Sequence, residues 1–299
     1  MTAATPDYAL AWTWPMVAVV VLLLLAAFSY WTVVVTEGAY VGPRLVRMLY
    51  DRGAKSYDEI KGFDSGDEAW FLGQPLERAL RRVRHPLVLD VATGTGRVPL
   101  ALLRRLDFDG HVVGLDGSSG MLGEAAGKLG GYGPGRFTLM LKDATTLPFA
   151  DRAFDAVTCL EALEFLPDPS ATLREMARVL KPGGLFLISN RIGRDARLMP
   201  GRAYGRDLLR SKLARLGLAG VEFQIWQEDY DLVWARKPGA SSGRARPLEA
   251  VVRCPNCRAD GLLLESGSAS CAVCRIRYRR AGGVLRFDTS TSPCSRSIR

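Results

Sequence analysis

The sequence predicts an α/β protein built on a mostly parallel sheet with helices on both faces. One helix of membrane length precedes it, and a small cysteine-rich module follows. Three observations carry this. Leu87–Val98, LVLDVATGTGRV, reads in order as a strand, a glycine-rich turn and the start of a helix. From there apolar strand-like runs and helical patterns alternate as far as Lys237, which implies parallel strands covered on both sides. An uncharged apolar run lies before this region and two C-x-x-C pairs lie after it.

Taken in order, Met16–Val35 carries no charge over the roughly 20 residues that span a hydrocarbon core. Trp12, Trp14, Tyr30 and Trp31 lie near its ends, where amphipathic rings favour the interface. No Lys or Arg precedes the run, whereas Arg44, Arg47, Arg52 and Lys55 follow it. That asymmetry predicts a single-pass helix with its N-terminus outside and the rest of the chain cytoplasmic, in the cell membrane. A signal peptide would need a basic start and a shorter apolar stretch. Tyr40–Arg84 mixes helical patterns with spaced aromatics (Tyr50, Tyr57, Phe63, Trp70, Phe71). It reads as helices packed on the following domain, or as a lid that closes over it and supplies part of the substrate pocket.

The alternating region begins with LVLDVA and the helix VPLALLRRL. It continues through the strand His111–Asp116, a helix from GSSGMLGEAAGKL, and strands at Phe137–Asp143 and Phe154–Leu160. The helix PSATLREMARVL is expected to stop at Lys181-Pro182-Gly183-Gly184, before a fifth strand at Leu185–Ser189. A helix over Tyr204–Leu216 and the strands VEFQIWQ and DYDLVWARK complete it. The tight acidic turn between those two strands requires them to be antiparallel.

The glycine turn admits a ligand close to the backbone, and free N–H groups at a helix start favour an anionic group. Gly94 and Gly96 are followed by Pro99 where a dinucleotide fingerprint has its third glycine, so the nicotinamide reading is incomplete. Asp116 ends the second strand about 20 residues on, where an acid can chelate ribose hydroxyls.

Four segments in order and spacing, LDVATGTG, VVGLDGSSGML, KDATTLPFADRAFDAV and REMARVLKPGGLFLIS, decide between cofactor classes. From about Tyr50 to Pro238 the chain resembles the class I S-adenosylmethionine-dependent methyltransferases, most of all their ubiquinone/menaquinone-biosynthesis branch. The resemblance implies a Rossmann-like seven-stranded sheet with the last strand antiparallel. It also assigns roles. Asp90 and the backbone of Ala92, Thr93, Gly94 and Gly96 would hold the methionine end of S-adenosylmethionine, and Asp116 the ribose diol. Met121 would lie near the adenine, whose edge Asp143 and Ala144 would read. Cys159 and Leu160 would line the cofactor, although Met121 and Cys159 read equally well as packing residues. Ala92 departs from the family's usual glycine. Glu161 and Glu164, after the fourth strand, are the candidate catalytic residues, either of which could act as a base on the acceptor if buried, or be a surface helix acid. They resemble a Glu-x-x-Glu-His metal motif whose histidine position is Phe165 here, and the lost ligand argues against a metal at that place. His85 and His111 precede strands at the opposite end of the sheet and are weaker candidates.

Beyond the linker, Cys254, Cys257, Cys271 and Cys274 form C-x2-C-x13-C-x2-C. Two such pairs can complete a tetrahedron of thiolates around structural Zn²⁺, which leaves no open position for catalysis. So small a module needs the metal to fold. Tyr278, Gly283 and Phe287 fit the outline of the short zinc ribbons that accompany methyltransferases. The chain carries a net +9, of which 11 arginines against 4 acids from Arg244 onward supply +7. Arg275, Arg277, Arg279 and Arg280 thus suit anionic lipid or RNA, if they are more than solvated surface charge.

The expected divisions are an extracytoplasmic N-terminus over 1–15, a transmembrane helix over 16–36 and a helical lid segment over 37–84. A methyltransferase domain over 85–238 follows, then a linker over 239–250, a zinc ribbon over 251–288 and a disordered tail over 289–299. The expected activity is methyl transfer to a hydrophobic small-molecule or lipid acceptor at the membrane. RNA or protein methylation guided by the ribbon, and an inactive scaffold, are the alternatives.

Overall fold

The computed structural model describes residues 8–133, 135–241 and 246–287, with side chains placed from residue 13. The tail expected over 289–299, Cys294, Arg244 and the first seven residues lie outside the described residues. Helix α1 (Tyr8–Tyr30) continues into a π-helical turn at Trp31–Val35. Over Thr13–Val35 the mean hydropathy is 2.5, and almost all of the segment faces outward.

Helices α2 (Pro43–Gly53), α3 (Tyr57–Lys61), α4 (Ser65–Glu68) and α5 (Gln74–Leu80) form the segment before the sheet. Asp64 caps α4 by accepting from the Gly66 and Asp67 N–H groups, which are otherwise unpaired at a helix start. Strand β1 (Leu87–Val91) is wholly buried, as a central parallel strand must be. It leads into α6 (Arg97–Leu103), β2 (His111–Asp116), α7 (Ser119–Leu129), β3 (Phe137–Leu141) and β4 (Phe154–Cys159). Next come α8 (Pro169–Val179), β5 (Leu180–Arg191), α9 (Gly193–Arg197) and α10 (Arg206–Arg215). Strands β6 (Ala219–Trp226) and β7 (Tyr230–Arg236) close the alternating region.

One boundary differs from expectation. Helix α8 ends at Val179, and Lys181–Gly184 belong to β5 instead of lying between helix and strand. The Lys181 ammonium reaches the buried Asp155 carboxylate of β4 at 2.7 Å, and Leu180 pairs with Phe154 across a register shift. Pairing across the sheet outweighs the local stop signal. Asp155 also accepts the Leu87 N–H at 2.9 Å, so it is a structural acid joining three strands.

The strand order is β6-β7-β5-β4-β1-β2-β3. β1, β2, β3, β4 and β5 run parallel, and β7 is antiparallel to both β5 and β6. The sheet does not stop at these seven strands. β11 (Val284–Arg286) pairs parallel with β3, and β10 (Arg277–Ala281), β9 (Ser268–Ser270) and β8 (Leu263–Leu264) continue the order to eleven strands. The unpaired groups along β3 find partners in the C-terminal module, which covers an otherwise open edge. The core joins as well. Val251, Val252, Tyr278, Leu285 and Phe287 belong to the same apolar cluster as Leu147, Phe149 and Phe154.

Candidate active site

The turn after β1 is held in left-handed conformation at Ala92 (φ 54°), Gly94 (φ 54°) and Gly96 (φ 86°). The two glycines serve different needs. A Cβ on Gly96 would stand 3.2 Å from the Ala125 Cβ of α7, so this glycine lets two helices approach. A Cβ on Gly94 would meet no protein atom within 4 Å, because the space beside it is a cavity. Ala92 takes the left-handed conformation with its methyl in place, at some cost in strain.

That cavity encloses about 340 Å³ at the C-terminal ends of the strands. Ala92, Gly94, Asp116, Asp143, Ala144, Leu160 and Glu161 all line it. A smaller space of about 40 Å³ shares Ala92, Gly94, Leu160 and Glu161 with it and adds Asp90, Thr93 and Arg97. The fold thus brings most of the expected binding residues to one place. It does not bring all of them. Met121 and Cys159 are buried in the core and line neither space, and Gly96 faces α7 and a groove behind the turn. Met121 takes part through its N–H, which the Ser118 hydroxyl caps at the start of α7.

Asp90 is buried and accepts the hydroxyls of Thr158 (2.6 Å) and Thr93 (2.7 Å). Burial outweighs these hydrogen bonds and pushes its carboxyl up to about 7. Asp116 accepts the Gly94 N–H on one oxygen and the Ser118 N–H on the other, both at 2.8 Å. Its carboxylate therefore sits directly against the glycine turn in the cavity wall, and burial raises its pKa against those N–H groups. Asp143 is half-exposed. Burial would raise it, but the Thr145 hydroxyl and N–H together with Lys142 bring it below the usual range.

The two candidate catalytic carboxylates, three residues apart, have different surroundings. Glu161 (φ 48°) lines the cavity, and its N–H donates to the Ser189 hydroxyl at 2.5 Å. Its carboxylate is taken by two cations, Arg97 on one oxygen and Lys61 at 3.3 Å on the other. Arg97 is itself stacked between Phe63 (4.0 Å to the ring centre) and Trp226 (4.4 Å), and it donates to Glu68 at 2.6 Å. A carboxylate so occupied is a charge-bearing wall of the site, with a cation on each oxygen. Glu164 lies beneath the wall, 1% exposed, and accepts the Tyr230 hydroxyl at 2.7 Å. Arg191 stands 3.7 Å away, and burial raises the pKa of the Glu164 carboxyl. Glu164 lines neither space. Phe165, at the missing histidine position, packs against Tyr50 and completes an apolar wall.

Several contributors lie outside the residues given binding or catalytic roles from the sequence. Pro43, Val46, Arg47 and Tyr50 of α2 and Tyr57 of α3 line the cavity from the segment before the sheet. Asp51 of α2 fastens that segment to α7, accepting the Ser118 hydroxyl (2.6 Å) and the Gly120 N–H (2.8 Å). The sequence signal was the run of spaced aromatics there, which read as packing or lid. Arg97 carried a signal too, as a charge in the first turn of an otherwise apolar helix. His85 pairs with Asp109, and His111 bonds Gly135 and Thr138 at the far end of β2, both away from the cavity.

The four thiols of Cys254, Cys257, Cys271 and Cys274 lie within 4.8 Å of one another. Cys254–Cys274 and Cys257–Cys271 are each 3.6 Å apart, far beyond the roughly 2.05 Å of a disulfide. Those separations approach the roughly 3.8 Å edge of a tetrahedron with metal–sulfur bonds of about 2.3 Å. The donor set fits a four-coordinate thiophilic ion. The Tyr278 hydroxyl lies 3.2 Å from the Cys254 sulfur, a further support for that thiolate.

A doubly wound sheet with a glycine turn at the end of β1 and an acid at the end of β2 defines a nucleotide-type α/β enzyme fold. The family model "Methyltransferase domain" matches residues 89–188. The demethylmenaquinone methyltransferase of Clavibacter sepedonicus is 31% identical over 222 residues, covering 70% of this chain and 88% of that protein. That of Desulfitobacterium hafniense is 37% identical over 209 residues, covering 69% and 73%. The ubiquinone/menaquinone biosynthesis C-methyltransferase UbiE of Geobacter sulfurreducens is 42% identical over 102 residues, covering 34% of this chain and 40% of that one. Among solved structures, the [4+2]-cyclase SpnF superposes with a TM-score of 0.52 at 20% identity over 66% of this chain and 97% of that one, a likeness of fold alone. The chain belongs to the class I S-adenosylmethionine-dependent methyltransferases. It is a methyltransferase that uses S-adenosylmethionine.

Proposed function

We propose that this enzyme methylates a hydrophobic, quinone-like acceptor at the cytoplasmic face of a membrane in which α1 anchors it. The observation that carries the reading is where the apolar helix comes down. Trp31, at its end, donates through Nε1 to the Leu198 carbonyl at 3.0 Å, and the Tyr40 hydroxyl donates to the Pro200 carbonyl at 2.7 Å. Arg202 ties Ala39 to the cavity wall by donating to the Ala39 carbonyl (2.5 Å) and the Leu166 carbonyl (2.7 Å). Helix α2 follows at once and supplies Pro43, Val46 and Tyr50 to the cavity. Val41 (61%), Met48 (44%) and Leu198 (45%) are exposed around this foot, where interfacial burial would suit them. A membrane-dissolved acceptor would meet an apolar wall of Val46, Tyr50, Phe165 and Leu166 a short distance from the anchor. Two curated relatives bear the name demethylmenaquinone methyltransferase, which fits a quinone-like acceptor.

S-adenosylmethionine, when bound, supplies a methyl group already activated on a sulfonium. The residues of this chain bind and orient. Asp90, with the turn from Ala92 to Gly94, would hold the amino-acid end, Asp116 the ribose, and Asp143 with Ala144 the adenine edge. Phe165 and the two tyrosines would exclude water and align the acceptor, the main contribution open to the protein when the electrophile is preformed. The four-cysteine cluster would hold structural Zn²⁺, and the exposed Arg275, Arg277 and Arg279 leave anionic lipid or RNA as a further partner.

The test uses the full chain in nanodiscs with methyl-labelled S-adenosylmethionine, offered membrane lipid extract and, separately, cellular RNA. Label is expected in the lipid extract, and Asp116→Ala is expected to lower cofactor affinity by at least about 100-fold. Label confined to RNA would transfer the function to the ribbon-guided alternative. No binding of S-adenosylmethionine by calorimetry would overturn the assignment of the cavity.

A further inference from the structure

The loop between β3 and β4, Lys142 to Ala153, carries Asp143 and Ala144 into the cavity. Its middle is held by α8, through Glu175, which accepts the Leu147 N–H at 2.8 Å, and Arg178, which donates to the Phe149 and Leu147 carbonyls. Both of its flanks are held by the four-cysteine module. At the start, the Phe287 N–H donates to the Leu141 carbonyl at 3.0 Å, extending the β11–β3 pairing up to the residue before Lys142. At the far side, Phe149 and Val252 form an antiparallel bridge. There the Ala150 N–H donates to the Val251 carbonyl and the Arg253 N–H to the Pro148 carbonyl, both at 2.8 Å.

These two grips meet at the four-cysteine cluster. Arg253 is the chain neighbour of Cys254. Phe287 packs edge-on against Tyr278 at 5.0 Å, and the Tyr278 hydroxyl reaches the Cys254 sulfur. The module has little core of its own, because its apolar residues are shared with Leu147, Phe149 and Phe154. An ion bridging four thiols at this separation would fasten the two knuckles to each other.

We infer that the metal-loaded module is a clamp on the adenine-side loop, with Val251, Arg253 and Phe287 as positioning residues for the cofactor. Their action runs through Asp143 and Ala144, so the inference rests on the placing of S-adenosylmethionine given above. It assigns the four-cysteine module a task inside the transferase site. A partner-binding role for its surface arginines would leave that task intact.

Two measurements on the full chain in nanodiscs test this: cofactor affinity by calorimetry, and hydrogen exchange of residues 142–150. Stripping the metal with a chelator is expected to weaken S-adenosylmethionine binding about 10-fold or more and to speed exchange in 142–150, and added Zn²⁺ restores both. Phe287→Ala guards against general unfolding, since it leaves all four cysteines in place. It is expected to keep full metal content and to raise the KM for S-adenosylmethionine about 5-fold with kcat at saturating cofactor unchanged. Exchange in 142–150 would rise while that of β1 and β4 stays the same. Unchanged affinity and exchange after metal removal, or a fall in kcat with KM unaltered in Phe287→Ala, would overturn the clamp. If the wild-type chain binds no S-adenosylmethionine, the cofactor reading falls, and the exchange of 142–150 with and without metal still decides whether the module holds the loop.

Discussion

The two edges of the sheet are finished in opposite ways. At one edge, β6 is left to solvent. Glu222, Gln224 and Ile225 are exposed, and a register shift between Ala219 and Glu222 bends the strand. Arg206 and Arg210 lie over Phe223, so cations and a bulge guard this edge. At the other edge, β3 is covered by a segment brought from some 140 residues away in the chain, and Val284 and Leu285 of that segment are buried. The difference teaches where rigidity is needed. The loop leaving β3 enters the cavity, whereas the hairpin between β6 and β7 sends Trp226 and Tyr230 only to the supporting layer around Arg97 and Glu164. An edge beside a binding loop is covered, and a remote edge is only protected from aggregation.

Three perturbations sharpen or break this contrast. The largest effect is expected at the covered edge. Leu285→Ala removes a fully buried side chain at the β11–β3 seam and should cost about 3 kcal/mol in denaturant unfolding, together with weaker cofactor binding. A loss of stability with unaltered binding would separate the edge from the site.

An intermediate effect is expected at the centre of the sheet, from Asp90. Its folded-state pKa, raised from 3.8 to about 7 chiefly by burial, means that the folded chain holds this proton more tightly than the unfolded chain. The stability so contributed is complete below about pH 4 and is lost as pH rises through about 7. Comparing wild type with Asp90→Asn by unfolding at pH 5 and pH 8 should show the wild type losing ground at the higher pH relative to the variant. Parallel pH profiles would mean that Asp90 titrates normally.

The smallest effect is expected at the open edge. Ile225→Ala should change stability by no more than about 0.5 kcal/mol, because the side chain is 66% exposed, and cofactor affinity should not move. A change comparable to that of Leu285→Ala would erase the distinction between the edges.

Much of the fold was legible because its signals are local. The runs at 87–91, 111–116 and 154–159 are mostly apolar and bounded by turns, and they form the buried parallel strands expected of such runs. The start of β5 was misjudged for the converse reason. Pro182 and the two glycines are local stop signals, but Lys181 answers to Asp155 on the neighbouring strand. Met121 and Cys159 fell outside the cavity because position along a strand or helix does not say which side a residue shows once neighbours pack against it. Arg97 was not singled out, since its worth lies in partners at Glu161, Phe63 and Trp226 that the fold alone brings near.

By itself the sequence determined the glycine turn and the acid opposite it, the order of strands and helices, the membrane-length helix and the cysteine spacing. Each of these depends on residues close together in the chain, or on a count of them. Only the tertiary structure decided which of two acids three residues apart faces the cavity. Glu161 is turned to Arg97 and Lys61, while Glu164 is sealed under Tyr230 and Arg191. It also decided that the cysteine module continues the sheet. Burial and charge pairing are set by residues far apart in the chain, and those come together only when the sheet closes over its edge at β3.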